Sequence, residues 1–249
     1  MMSLQGKRAI VTGGSRGLGR GIVQALVAEK VDVVAMARDA AALESVRKDL
    51  GVETVSADVA DEAVSGRLLR ELRPDLVVLC AGASPPLGSL HEQTWESFSH
   101  NWEVDAKSTF FWLRHALLLP MKPGSHVIVV SSGAAVRGSP VSGGYASAKR
   151  AQWFMADYAA TEAARMGLGL RVHCILPNLN PSTPLGRKGI AAYAQRAGVS
   201  DEEFAKRFGP PLTPAIMGKA IVDLASDAKR EKWDRLAYRV TGMGLAPVD

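Results

Sequence analysis

Only two cysteines occur in the 249 residues, Cys80 and Cys174, and neither belongs to a C-x-x-C pair or a Cys/His spacing. That excludes a disulfide framework and a zinc site, so no metal is expected; both thiols lie in apolar runs and read as small core residues. Nowhere do about 18 apolar residues run together, which leaves no candidate for a membrane-crossing helix. Met1 to Lys7 lacks the basic segment and apolar core of an export signal, so a cytoplasmic protein is expected. No internal repeat, low-complexity tract or linker divides the chain. Positive charge is not clustered either, although 30 basic against 25 acidic residues give +5. The densest stretch, Lys229, Arg230, Lys232, Arg235 and Arg239, is broken by Glu231 and Asp234 and reads as a solvated helix face. Without a basic footprint, neither nucleic acid nor membrane is expected as a partner.

What is present is an ordinary globular composition, 47% apolar and 22% charged, at a length one α/β domain can occupy. Apolar β-branched runs alternate with segments of helical period, the pattern of βαβ units and a parallel sheet covered on both faces. Strands are predicted at Arg8 to Thr12, Asp32 to Ala37, Glu53 to Ser56, Leu76 to Cys80, His126 to Ser131, Arg171 to Leu176 and Ala237 to Thr241. The fold class is therefore a single-domain, doubly wound Rossmann-type α/β sheet of about seven parallel strands. Asp39 and Asp61 are placed to cap helices. Residues 177–214, rich in Pro, Gly and charge, read as a substrate-covering insertion, partly helical from Gly189 to Phe208.

Directly after the first strand stands Thr12-Gly13-Gly14-Ser15-Arg16-Gly17-Leu18-Gly19, followed by a helical pattern through Val23, Leu26 and Val27. A strand-to-helix turn without side chains lets backbone approach a pyrophosphate, and the helix N-terminus supplies free N–H donors and positive partial charge. Gly13, Ser15, Arg16, Gly17, Leu18 and Gly19 are assigned to a dinucleotide. After the second strand comes Arg38, with Arg16 projecting toward the same region. Two cations there favour a 2′-phosphate, hence NADP(H) over NAD(H), with NAD(H) retained as the alternative. Asp39, the one nearby acid, reads as an N-cap.

The fifth strand runs into Ser132, and Tyr145-Ala146-Ser147-Ala148-Lys149 opens a long helical segment. Tyr145 and Lys149, four apart, share a helix face. An ammonium beside a phenol stabilises its phenolate, so Lys149 and a nicotinamide cation are expected to move the Tyr145 pKa down. Tyr145 then exchanges a proton with the oxygen of a carbonyl or alcohol while hydride moves at carbon, and Ser132 hydrogen-bonds that oxygen.

In glycine motif, Ser132 and the Tyr145/Lys149 pair, the whole chain resembles the short-chain dehydrogenase/reductase family. The resemblance implies that Lys149 also binds the nicotinamide ribose, that Asp58-Val59 touches adenine, that Ala81, Gly82 and Pro177 lie on the cofactor side, and that the protein is a homotetramer or homodimer. Three positions depart from the family. Its Asn-Asn-Ala-Gly is Leu79-Cys80-Ala81-Gly82 here, and its Pro-Gly is Pro177-Asn178, a change Asn tolerates through its ease with unusual backbone angles. Its helical asparagine, which orders a relay water beyond the lysine, aligns with Asp105; Asn101, one turn earlier, is the rival. An ionised Asp cannot donate, so Asp105 either alters the relay or pairs with Lys149. The chain also ends at Val248-Asp249, short of the family's usual glycines.

Two other functions fit the same residues: a silent NADP-binding regulatory protein, and a non-redox epimerase or dehydratase. Ser84 to Leu87, Ala134 to Gly143 and Pro177 to Pro211 read as pocket lining, with Val136, Val141 and Leu179 favouring an apolar carbonyl compound. Arg187-Lys188 reads as solvated loop charge, and Trp95, Trp102, Trp112 and Trp153 as core packing.

Overall fold

Alternation along the strands decides which face each side chain covers. The computed structural model describes residues 4–119, 121–179, 181, 183–226 and 235–248. Its strands are β1 (Arg8–Thr12), β2 (Asp32–Ala37), β3 (Glu53–Ser56), β4 (Leu76–Leu79), β5 (His126–Val130), β6 (Arg171–Pro177), β7 (Ala237–Thr241) and β8 (Gly244–Pro247). They form one sheet in the order β3-β2-β1-β4-β5-β6-β7-β8, parallel throughout except for β8 on β7. On β1, Ala9 and Val11 enter one apolar layer and Ile10 the other; on β5, Ile128 and Val130 face Val127 and Val129 in the same way. Period-2 side chains that are apolar on both faces require a layer of helices on each.

The helices are α1 (Gly17–Ala28), α2 (Ala40–Leu50), α3 (Glu62–Leu72), α4 (Trp95–Asn101), α5 (Lys107–Leu118), α6 (Ala134–Arg137), α7 (Gly143–Arg165), α8 (Pro184–Ala197), α9 (Asp201–Lys206) and α10 (Pro214–Ala225). Ile22, Val23 and Leu26 of α1 and Met217, Ile221 and Leu224 of α10 fill one layer. Leu68 and Leu69 of α3, Trp112 and Leu113 of α5 and Ala156, Ala159 and Ala163 of α7 fill the other. Asp39 and Asp61 cap α2 and α3 as predicted, accepting from the amides of Ala42 and Ala63.

Several expectations change. The seven predicted strands are present, but β8 is an eighth and antiparallel. Its Gly-Leu-Ala-Pro sequence lacks a strand signal; it pairs because the turn at Gly242 and Met243 folds it back on β7, Val240 opposite Leu245. β4 stops at Leu79 because the next amides, of Cys80 and Ala81, go to the Thr12 side chain instead of the ladder. Within the insertion, helix begins at Pro184, not Gly189: Thr183 caps it and Pro184 suits its first turn. Arg187 and Lys188 therefore lie exposed on α8 and not in a loop. Trp112 is buried, but Trp95 is 78% and Trp102 41% exposed, so these two are not core. In the basic stretch, Arg239 lies on β7, which a helix face does not allow, and residues 227–234 fall outside the described part.

α1 and α10 cross at glycines. A Cβ on Gly218 would stand 2.5 Å from the Gly21 carbonyl oxygen, and one on Gly21 would collide with Pro214. Alanine ordinarily stabilises a helix interior relative to glycine, yet here the added methyl overpacks the crossing. Gly218→Ala is expected to lower the unfolding free energy by about 2 kcal/mol. Urea denaturation checks the sign: stabilisation would mean that the helices separate freely.

Candidate active site

The carboxyl ends of β1 and β4 are the point from which the chain winds in opposite directions, and there the glycine loop sits. Thr12 joins the two strands: its hydroxyl donates to the Val78 carbonyl and accepts from the amides of Cys80, at 3.0 Å, and Ala81, at 3.2 Å. The loop then presses so closely on the neighbouring segment that a Cβ on Gly13 would lie 2.8 Å from the Ala81 Cα, and one on Gly19 would strike the Gly13 carbonyl. Ser15 is buried and Leu18 packs against the core, while Arg16 and Gly17 face outward. Arg16 stands at the N-cap of α1 without a side-chain cap, and no acidic residue occupies the first turn. Free amides, positive helix polarity and absent side chains fit an anionic pyrophosphate.

Arg38 follows β2, and the Gly14 amide bonds the Met36 carbonyl at 3.2 Å, so the segments bearing Arg16 and Arg38 start side by side. Both arginines are exposed, and neither forms an ion pair among the described residues. Asp39 is engaged as the cap of α2. Beyond β3, the Asp58 carboxylate accepts from the Ala60 amide, and Val59 is buried with its carbonyl accepting from the Trp112 indole. Pro177 ends β6 and accepts from the Gly133 amide at 2.8 Å. Asn178 is not at positive φ, so the expected appeal to unusual backbone angles is unnecessary.

Ser132, Tyr145 and Lys149 come together where β5 ends against the first turns of α7. The Ser132 side chain stands close enough to the Tyr145 phenol to lower its pKa, and the Lys149 ammonium lies 5.5 Å from the Tyr145 ring centre. Burial pushes the phenol up; Lys149 and Ser132 pull it down as expected, Asp105 and Tyr193 push it up, and the sum leaves it above its ordinary value. Lys149 thus acts in the expected direction, and in the protein alone desolvation outweighs it.

Asp105 lies in a π-helical turn, Trp102–Ala106, between α4 and α5. It is 0% exposed. Its Oδ1 accepts from the Ala83 amide at 2.8 Å, and its Oδ2 accepts from Asn101 Nδ2 at 2.9 Å and lies 3.8 Å from Lys149 Nζ. The two rival residues are therefore both present, Asn101 bridging Asp105 and the Ala83 carbonyl at 3.0 Å. A Cβ on Gly82 would stand 2.8 Å from Asp105 Oδ1 and 3.5 Å from Lys149 Nζ, so the lysine reaches the turn after β4. Burial alone would push Lys149 down; Asp105, then Tyr145, Cys80 and Cys174, push it up, and it ends above 10.5. Burial raises Cys80 to about 11 and Cys174 to about 12, as befits unreactive core thiols.

Residue reading missed two members of this cluster. Thr12 could have been found as the last side chain before the glycines. Gln152 had a fainter signal, its place on the Lys149 face of α7.

Known proteins resemble this chain over most of its length. A family model described as Enoyl-(Acyl carrier protein) reductase matches residues 13–231. An L-fucose dehydrogenase of Rattus norvegicus is 32% identical over 230 residues, 90% of this chain and 84% of that protein. An L-xylulose reductase of Bos taurus is 32% identical over 198 residues, 78% of each chain. A 3-beta-hydroxysteroid dehydrogenase of Comamonas testosteroni is 26% identical over 231 residues, 90% of each.

Removing one partner of a buried ion pair strands the other in a poor solvent. Asp105→Ala is expected to lose about 3–5 kcal/mol of stability at neutral pH, measured by chemical denaturation. The pair also gives stability a pH dependence. Because the native Lys149 pKa lies above its ordinary 10.5, its contribution is complete below 10.5 and falls as pH rises through the native value. Lys149→Met is expected to lack that alkaline decline, and an unchanged profile would count against the assignment.

Proposed function

The chain belongs to the short-chain dehydrogenase/reductase family, and from that membership we propose an NADP(H)-dependent oxidoreductase with Tyr145 as acid and base. Its class is an oxidoreductase of CH–OH or C=O groups using a nicotinamide cofactor. The observation that carries the finer reading is the meeting of Ser132, Tyr145 and Lys149 beside the glycine cradle at the carboxyl edge of the sheet.

In this reading, the glycine loop and the N-terminus of α1 hold the pyrophosphate, Arg16 and Arg38 the 2′-phosphate, and Asp58, Val59, Ala81, Gly82 and Pro177 border the remainder. The nicotinamide supplies or accepts the hydride when bound. Ser132 orients the substrate oxygen by a hydrogen bond. Tyr145 gives that oxygen a proton in reduction and removes it in oxidation. Lys149 keeps a positive charge beneath the phenol and so favours its anion at the moment of transfer.

Residues 177–214 cover the substrate within a single domain. Tyr193 of α8 supports this: its hydroxyl donates to Ser139 in the loop before α7, and its ring stacks on Phe204 of α9 at 5.4 Å. A homodimer or homotetramer is supported by Phe110, Phe154 and Tyr158, each more than half exposed on neighbouring α5 and α7. No described helix is long and apolar enough to cross a membrane.

The test is NADPH oxidation, with NADH in parallel, against ketones, aldehydes and quinones; two relatives' names add L-xylulose to that panel and L-fucose as an alcohol read in the reverse direction with NADP+ and NAD+. Turnover is expected to favour NADPH and to fall at least about 1,000-fold in Tyr145→Phe. Arg38→Ala is expected to cut the preference for NADPH over NADH about tenfold, the contribution of one charge-assisted phosphate contact. Tight NADPH binding with no turnover on any member would replace this reading with a silent binding protein.

A further inference from the structure

Gln152 stands one turn beyond Lys149 on α7, 1% exposed, and both ends of its amide are engaged. Its Oε1 accepts from Lys149 Nζ at 2.9 Å, while its Nε2 donates to the Asp105 carbonyl at 3.0 Å and to Thr109 Oγ1 at 2.6 Å. This orientation is dictated by chemistry. An ammonium can only donate, and the Thr109 hydroxyl already donates to the Asp105 carbonyl at 2.9 Å, so the amide oxygen must face the lysine. Leu or Met would fill similar space in an interior helix face without desolvating an amide. Packing therefore does not explain a glutamine here.

Of the ammonium's three N–H donors the protein takes two, through Gln152 Oε1 and the Val130 carbonyl at 3.4 Å, while Asp105 Oδ2 at 3.8 Å is an ion-pair partner beyond hydrogen-bond distance. Gln152 is the shortest of these contacts. The titratable groups facing Lys149 are Asp105 from the π turn, Tyr145 from α7, Cys80 after β4 and Cys174 on β6. Tyr145 in turn faces Lys149, Asp105 and Tyr193.

We propose that Gln152 is a positioning residue: its amide oxygen fixes the Lys149 ammonium at one depth beneath Tyr145 and so sets how strongly that charge acts on the phenol. The proposal rests on Tyr145 being the acid and base. Coulombic coupling inside a protein changes steeply with separation, so about 1–2 Å of drift by an unanchored ammonium moves the phenol pKa by about half a unit. The sign is upward, because a more distant cation stabilises the phenolate less. The alkaline limb of carbonyl reduction, where Tyr145 loses the proton it must donate, then moves to higher pH.

The experiment uses protein labelled with 15N at the lysine side chains. Wild type is expected to show, at about pH 8, a slowly exchanging ammonium signal that Lys149→Met lacks, since an exposed ammonium exchanges too fast to be seen. Gln152→Met, an isostere without the acceptor, is expected to lose that signal, and Gln152→Glu, which keeps an oxygen for the lysine, to retain it. In turnover, Gln152→Met is expected to lower kcat up to about threefold with KM within about twofold, and to raise the alkaline limb by about half a unit. Should Gln152→Met fail to fold, Thr109→Val, which removes one of the two acceptors holding the amide without touching the lysine, is expected to broaden the signal. A Gln152→Met protein with an unchanged ammonium signal and unchanged limb, differing only in melting temperature, overturns the proposal. Undiminished turnover in Tyr145→Phe instead overturns the functional reading, and the ammonium signal still decides where the lysine is held.

Discussion

One buried positive charge constrains the architecture around it. Lys149 is 5% exposed, and an ammonium removed from water is tolerated only if a countercharge and hydrogen-bond acceptors meet it. The countercharge is Asp105, itself wholly buried, which must in turn be held. The Ala83 amide and the Asn101 side chain hold it, pinning the turn after β4 to the helix behind. That turn passes so close to the carboxylate that Gly82 has no room for a side chain. The one charge thus links the ends of β4 and β5, the π turn and α7.

The π turn explains how two residues that looked like rivals serve together. With regular helical spacing, Asn101 and Asp105 would be stacked neighbours on one face, competing for one position. The wider turn at Trp102–Ala106 instead directs both side chains at the segment after β4 and leaves the Asp105 carbonyl turned toward α7, where Gln152 donates to it. A π insertion weakens regular helical bonding and is kept where that loss is compensated. Here the Ser108 and Thr109 hydroxyls and the Gln152 amide all bond that single carbonyl.

How much of this was legible in the sequence differs by element. β1, β2, β3 and β7 have the predicted bounds; for β1 and β2 burial on both faces leaves no other side-chain order that works. β8 was not legible, since a short glycine- and proline-bounded edge strand is defined by the neighbour it pairs with. Tyr145, Lys149 and Ser132 were legible as a spacing. The direction of the phenol's shift was not, because spacing reveals the nearby cation and says nothing of how much water the fold removes. Gln152 was hidden for a related reason: glutamine is an ordinary helix residue, and only its burial against a lysine makes it unusual. Trp95 and Trp102 were misread from residue type alone, which reports a preference for burial and not which helix face meets solvent.

Burial holds the Tyr145 phenol above its ordinary value, and Lys149 acts in the opposite direction. Oxidation requires the phenolate, and stabilising it needs more positive charge than Lys149 provides, because Asp105 offsets part of that charge. An asparagine at position 105 would leave the lysine charge uncompensated and the phenolate closer to neutral pH. Asp105 thus does two opposing things: it makes a buried ammonium affordable to the fold, and it reduces the influence of that ammonium on the phenol. The balance between them depends on distance, and distance is what the hydrogen-bonded lining around Lys149 controls.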